Sequence, residues 1–236
     1  MKTLKLSLLA VTAMLCVQNA GAQTADEIVN KHIEAIGGKE KMLALKSVKM
    51  LGNLNVQGMD VGLTITVAQG VGSRTDISVP GMGEGYQIVN TTKGWSFMPF
   101  QGQASPEELD AEKVQSSQQQ LDIQGGLLDY ATKGSKVELL GKETVDGSES
   151  YKLALTHKSG KVSTYFIDSK TFYKVKSISK SQTPSGEADV ETSYMDFKKT
   201  PEGYVFPFSQ SNPMGTVIFS SVEINKPVDE KLFTVN

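Results

Sequence analysis

From residue 48 onward, hydrophobic and polar positions alternate. Val48, Met50, Leu54 and Val56 are spaced by polar or small residues, and Met59, Val61, Leu63, Ile65 and Val67 alternate with Asp60, Gly62, Thr64, Thr66 and Ala68. A period of two is that of a strand with one dry and one wet face. Gln57-Gly58 between the two runs reads as a hairpin turn. Similar runs at 73–79, 85–90, 94–100, 137–140, 151–157, 162–168, 173–179, 190–197, 204–208 and 216–222 predict further strands. Gly81-Met82-Gly83, Thr92-Lys93-Gly94, Asp146-Gly147, Ser159-Gly160, Pro184-Ser185-Gly186 and Pro201-Glu202-Gly203 punctuate them as turns. Strands at this density, without a linker or a repeat, predict one mainly β domain over 23–236. They form a barrel or a strongly curved antiparallel sheet.

Two stretches break the pattern with helical spacing. Thr24-Ala25-Asp26-Glu27 is a capping box, and Ile28, Val29, His32, Ile33 and Ile36 follow at helical intervals up to Gly37-Gly38. Ser105-Pro106-Glu107-Glu108 predicts the start of a second helix, polar through Gln120. Leu121, Ile123, Leu127, Leu128 and Tyr130 then supply apolar groups around Gly125-Gly126, which suits either a lid or a plain connector. Helices this few leave part of the sheet's apolar face either closed on itself or open as a pocket.

Residues 1–22 read as a cleaved secretory signal. Lys2 and Lys5 precede an apolar run from Leu6 to Val17, and Ala20-Gly21-Ala22 ends it. Leu15 before Cys16 is unsuited to lipoprotein processing, so Cys16 leaves with the signal. Removing Lys2 and Lys5 takes the formal charge from −2 to −4. The expectation is a cysteine-free, mildly acidic periplasmic protein.

Chemistry is sparse. Two histidines and one cysteine exclude a zinc ribbon, and no phosphate loop, nucleophile elbow or HExxH occurs. No basic stripe for nucleic acid is present. No metal, cofactor or catalytic residue is therefore expected. His32 reads as a core histidine, and His157 as exposed beside a turn. Glu107, Glu108 and Asp110 suit a helix's first turn. Lys170, Lys174, Lys176, Lys180, Lys198 and Lys199 read as solvated outer faces.

Residues 90–110, NTTKGWSFMPFQGQASPEELD, resemble the D-G-K-x-x-W-x-Y-x-P signature of the LolA-like periplasmic lipoprotein carriers. Trp95, Phe97 and Pro99 match it, and Asn90 stands where the aspartate often is. Gly72-Ser73-Arg74 upstream, and the run from Tyr151 to Ile178 and the closing KPVDEKLFTVN downstream, are similar to other parts of the same pattern. The proline that commonly precedes the basic residue is missing near Arg74. The resemblance implies an unclosed antiparallel β-barrel with helices across its open side. It also implies a monomeric carrier that holds lipoprotein or other acyl chains in a hydrophobic cavity, with an outer-membrane receptor and an inner-membrane exporter as partners. Met59, Val61, Leu63, Ile65, Val67, Trp95 and Phe97 are then the expected cavity liners. A non-catalytic envelope scaffold on the same fold is the alternative, and a hydrolase built around His32 or His157 is a third.

Overall fold

The Thr24 hydroxyl accepts from the Glu27 amide at 3.2 Å and the Glu27 carboxylate accepts from the Thr24 amide at 3.1 Å, which starts α1 (Ala25–Ala35). A short α2 (Lys39–Ala44) follows the two glycines. The computed structural model describes residues 23–56, 58–183 and 186–235. The expected signal and the turn positions Gln57, Pro184 and Ser185 lie outside the described residues.

The strands are β1 (Ser47–Val56), β2 (Met59–Ala68), β3 (Gly72–Val79), β4 (Gly83–Asn90), β5 (Gly94–Phe97) and β6 (Glu107–Glu108), then β7 (Lys136–Val145) and β8 (Ser148–Thr156). β9 (Val162–Asp168), β10 (Lys174–Thr183), β11 (Gly186–Lys199), β12 (Val205–Asn212) and β13 (Gly215–Ile224) complete the set. They form one 13-stranded antiparallel sheet in the order β6-β5-β4-β3-β2-β1-β13-β12-β11-β10-β9-β8-β7. The sheet is not closed, because β6 and β7 are its two edges. Two runs of hairpins meet where Val48 of β1 pairs with Ile224 of β13.

The second helix starts later than the sequence suggests. Glu107 and Glu108 pair with Ser96 and Trp95 as β6, and the Asp110 side chain accepts from the Lys113 amide at 2.8 Å to cap α3 (Ala111–Ser117). The edge of β5 offered unpaired backbone groups, and pairing them outweighed a weak capping box.

One sheet face holds the core. Ile28, Val29 and Ile33 of α1 and Met42 of α2 pack with Val48, Leu153, Leu155, Ile167 and Ile224 from the strands. Leu127 and Leu128, from the segment between α3 and β7, complete it. A buried side chain of this size contributes about 1.5–3 kcal/mol. The glycine-broken segment is thus a packed cover, not a free connector. It is tied down by hydrogen bonds from the Gly70 amide to the Leu121 carbonyl at 3.0 Å and from the Ile123 amide to Gln69 at 2.8 Å.

Candidate functional site

Beneath this cover lies a cavity of about 230 Å³. Ile33, Ile36 and Met42 line it from the helices, Ile123, Leu127 and Leu128 from the cover, and Tyr165, Lys174, Tyr194 and Phe206 from the sheet. Most of these walls are apolar, and the polar groups among them are mostly satisfied. His32 is 7% exposed, and its Nδ1 lies 2.8 Å from the Phe172 carbonyl. A carbonyl only accepts, so Nδ1 carries the proton and Nε2 is left as an acceptor. Burial holds the His32 pKa down at about 4, so the ring is neutral at physiological pH. The Gln124 amide donates to the Leu43 and Leu45 carbonyls at 3.1 and 3.2 Å.

Lys174 is different. Its ammonium stands 5.0 Å from the Tyr165 ring centroid and 4.5 Å from that of Tyr194. Burial opposes its charge, but the Tyr194 and Tyr165 oxygens outweigh that effect and leave its pKa above the ordinary lysine value. Its neighbour Lys176 pairs with Glu191 at 2.7 Å, whereas Lys174 forms no salt bridge with any carboxylate among the described residues. Strict alternation would put both lysines on one face. An irregularity in the β9–β10 ladder separates them: Lys174 pairs with the core residue Ile167, while Lys176 pairs with Phe166 on the other face. Lys174 is therefore a site residue that sequence periodicity assigned to solvent. Only the bulge, which has no sequence signature here, turns it inward.

Gly126 and Tyr165 also border a polar cleft of about 320 Å³ that contains Lys133, His157, Lys158 and Lys161. His157 is half-buried rather than exposed, and its Nε2 lies 3.0 Å from Ser163 Oγ. This pair lacks the requirements of a nucleophile site. Ser163 is 2% exposed, and no carboxylate hydrogen-bonds His157 among the described residues. Among the described residues no cluster of His, Cys, Asp or Glu is placed to hold a metal ion, and no helix is long and apolar enough to cross a membrane.

The seven expected liners do not share one wall. Val67, Ile65, Leu63, Val61 and Met59 pair with Val48, Met50, Gly52, Leu54 and Val56, so they lie on the core face. Following partners across the ladders, Ile65 leads to Thr75, Gln87 and Ser96. Trp95 and Phe97 flank Ser96 and lie on the opposite face of the ladder. Strand parity carries over only through register, and register is set by long-range pairing. None of the seven lines the 230 Å³ cavity. Leu63 and Phe97 instead border a larger open groove of about 590 Å³ with Leu51, Thr64, Arg74 and Tyr86. There Arg74 is already neutralised by Asp76 at 2.7 Å and stacked 4.5 Å from the Tyr86 ring. The groove is larger, and its Arg74 is met by both Asp76 and Glu84 in the same lining. The cavity under the cover is the better candidate binding site, because its lining is more apolar and its cation lacks a counter-charge.

No family model matches the chain, and no curated protein matches it by sequence. Solved structures do match. A LolA superfamily protein from Nitrosomonas europaea aligns with a TM-score of 0.55 at 17% identity over 91% of this chain and 99% of that one. The fold is LolA-like. A putative outer membrane lipoprotein-sorting protein domain from Vibrio parahaemolyticus aligns at 0.54 and 12% identity, over 89% and 95% of the two chains. A protein of a domain family of unknown function from Desulfovibrio piger reaches 0.56 at 12% identity, over 90% and 98%. In this LolA-like chain α1 and the cover lie on the core face of the unclosed sheet.

Proposed function

We propose that the chain is a non-catalytic periplasmic carrier of acyl chains, its cargo being lipoproteins bound for the outer membrane. Residues 1–22 direct secretion and are removed after Ala22, leaving 23–236 as the working protein. The observation that carries this reading is the apolar cavity of about 230 Å³ under the cover formed by residues 118–135. An acyl chain gains about 0.8 kcal/mol for each CH₂ removed from water, and needs little hydrogen bonding in return. The cavity is smaller than the 300–1,000 Å³ of usual ligand sites, so the full cargo enters only as the cover moves outward. The lipoprotein-sorting description of the Vibrio domain, and the matching sequence pattern around Trp95, support the same reading. An outer-membrane receptor and an inner-membrane exporter are the partners such a carrier requires.

Native mass spectrometry of protein expressed with its own leader and purified from a Gram-negative periplasm tests this. The expected spectrum has a chain beginning at Gln23 with added lipid mass that denaturation releases. A bare chain that also takes up no acyl ligand on titration would point to a scaffold module instead.

A further inference from the structure

Lys174 is a cation in the wall of an apolar cavity without a counter-ion. Taking an ammonium out of water costs several kcal/mol unless an opposite charge or good hydrogen bonds replace the water. Two tyrosine rings, with centroids 5.0 and 4.5 Å from the ammonium, supply part of this. The Tyr194 side chain also hydrogen-bonds the ammonium, but no residue lining the cavity brings a negative charge. His32 is neutral and bonded to the Phe172 carbonyl, and the Gln124 amide is used by the Leu43 and Leu45 carbonyls. The rings of Tyr165 and Tyr194 hold the ammonium in place, beside the apolar walls that would take a hydrocarbon tail.

From this geometry we infer that the cavity binds an anionic amphiphile head-first, with Lys174 as the counter-ion of a carboxylate or phosphate head and Ile33, Leu127, Leu128 and Phe206 around the first carbons of its tail. The inference rests on the acyl-carrier reading and extends it. The esterified and amide-linked chains of a lipoprotein have no anionic end, so an amphiphile bound head-first in this way is a free acid or a phosphate monoester, a second class of cargo for the same cavity. A tail too long for the cavity leaves past Gly125. Gly125 sits at φ +88 with open space where a Cβ would be.

The test uses the chain 23–236 and displacement of N-phenyl-1-naphthylamine, a neutral apolar fluorophore. The competitors are dodecanoate, dodecyl phosphate and 1-dodecanol, which share one tail. A charge-assisted pair is worth about 1.5–3 kcal/mol, so the wild type should bind dodecanoate roughly 10- to 160-fold more tightly than dodecanol. Lys174→Met should abolish this preference and leave dodecanol affinity within about two-fold, and Lys174→Arg should keep the preference. Dodecyl phosphate binding like dodecanoate supports an anion site that takes either head. Dodecyl phosphate binding like dodecanol supports a carboxylate site. Equal wild-type affinity for dodecanoate and dodecanol overturns the inference and leaves the carrier reading standing. This comparison needs no variant, so it decides even if Lys174→Met does not fold. A preference that survives Lys174→Met also overturns it, and moves the anchor to the lysines of the polar cleft. Failure of all three ligands to displace the fluorophore overturns the carrier reading as well.

Discussion

Truncating Leu128 to alanine separates the stability of the cover from the capacity of the cavity beneath it. Leu128 is 1% exposed, lines the cavity, and packs in a core with Leu153, Leu155 and Ile167, each 0% exposed. Losing three carbons forfeits about 2.4 kcal/mol of transfer free energy at 0.8 kcal/mol each. A further cost scales with the void that remains, and measured Leu→Ala changes span about 2–5 kcal/mol. Strands fix the wall opposite Leu128, so collapse is limited and about 3–4 kcal/mol is expected. For a chain of this size that lowers the melting temperature by about 7–14 °C. The same void is new space for ligand. Up to three more methylenes can be buried, worth at most ~2.4 kcal/mol or roughly 60-fold in affinity. Binding of a C8–C18 acyl series should shift its optimum about two to three carbons longer, with little change for the shortest chains. Thermal melts and displacement titrations on both proteins measure the two effects. An unchanged melting temperature would refute the packing of Leu128. A lowered melting temperature with an identical chain-length profile would refute the cavity as the acyl site.

Two further outcomes follow from the packing. As pH falls from 6.5 to about 4, the unfolded chain protonates His32 while the folded chain does not, so stability should drop by about 3 kcal/mol across that window and stay level above it. His32→Gln can still donate to the Phe172 carbonyl, and its denaturant-measured stability should lose that part of the acid sensitivity. At Gly72 a Cβ would lie 2.4 Å from Cγ of Phe233, which is 1% exposed. Gly72→Ala should therefore cost about 3 kcal/mol in the wild type and under ~1 kcal/mol in a Phe233→Ala background, and additive costs in that cycle would refute the contact.

Local chemistry made much of the fold legible. The Thr24–Glu27 box and the glycine turns each act over a few residues, and the structure contains them within the described residues; the alternation along β2 gives a strand but not alternating burial, with Met59 44% and Thr66 7% exposed. Glu107-Glu108 was misread because a helix start and an edge-strand partner can share one sequence, and only the open edge of β5 decides between them. The site was less legible for a related reason. Trp95 looks like a companion of Leu63 until register places it on the other face. Lys174 looks like its solvent-facing neighbours until the irregularity beside it reverses its direction. Leu127 and Leu128 could be read as apolar groups beside a glycine pair, but nothing local to them tells which strands they meet.

The junction of β1 and β13 governs how such a chain can be made. Every other pairing in the sheet joins strands consecutive in sequence, so each half can assemble from short hairpins as it emerges. β1 must wait for the last strand, and Val48 meets Ile224 only when nearly the whole chain is present. A chain threaded through a membrane N-terminus first would expose the β1 edge throughout its export, a template on which another unfinished copy can add. Losing β13 to proteolysis or truncation would not shorten this sheet from one end. It would split it in the middle, into two half-sheets that each gain a bare edge.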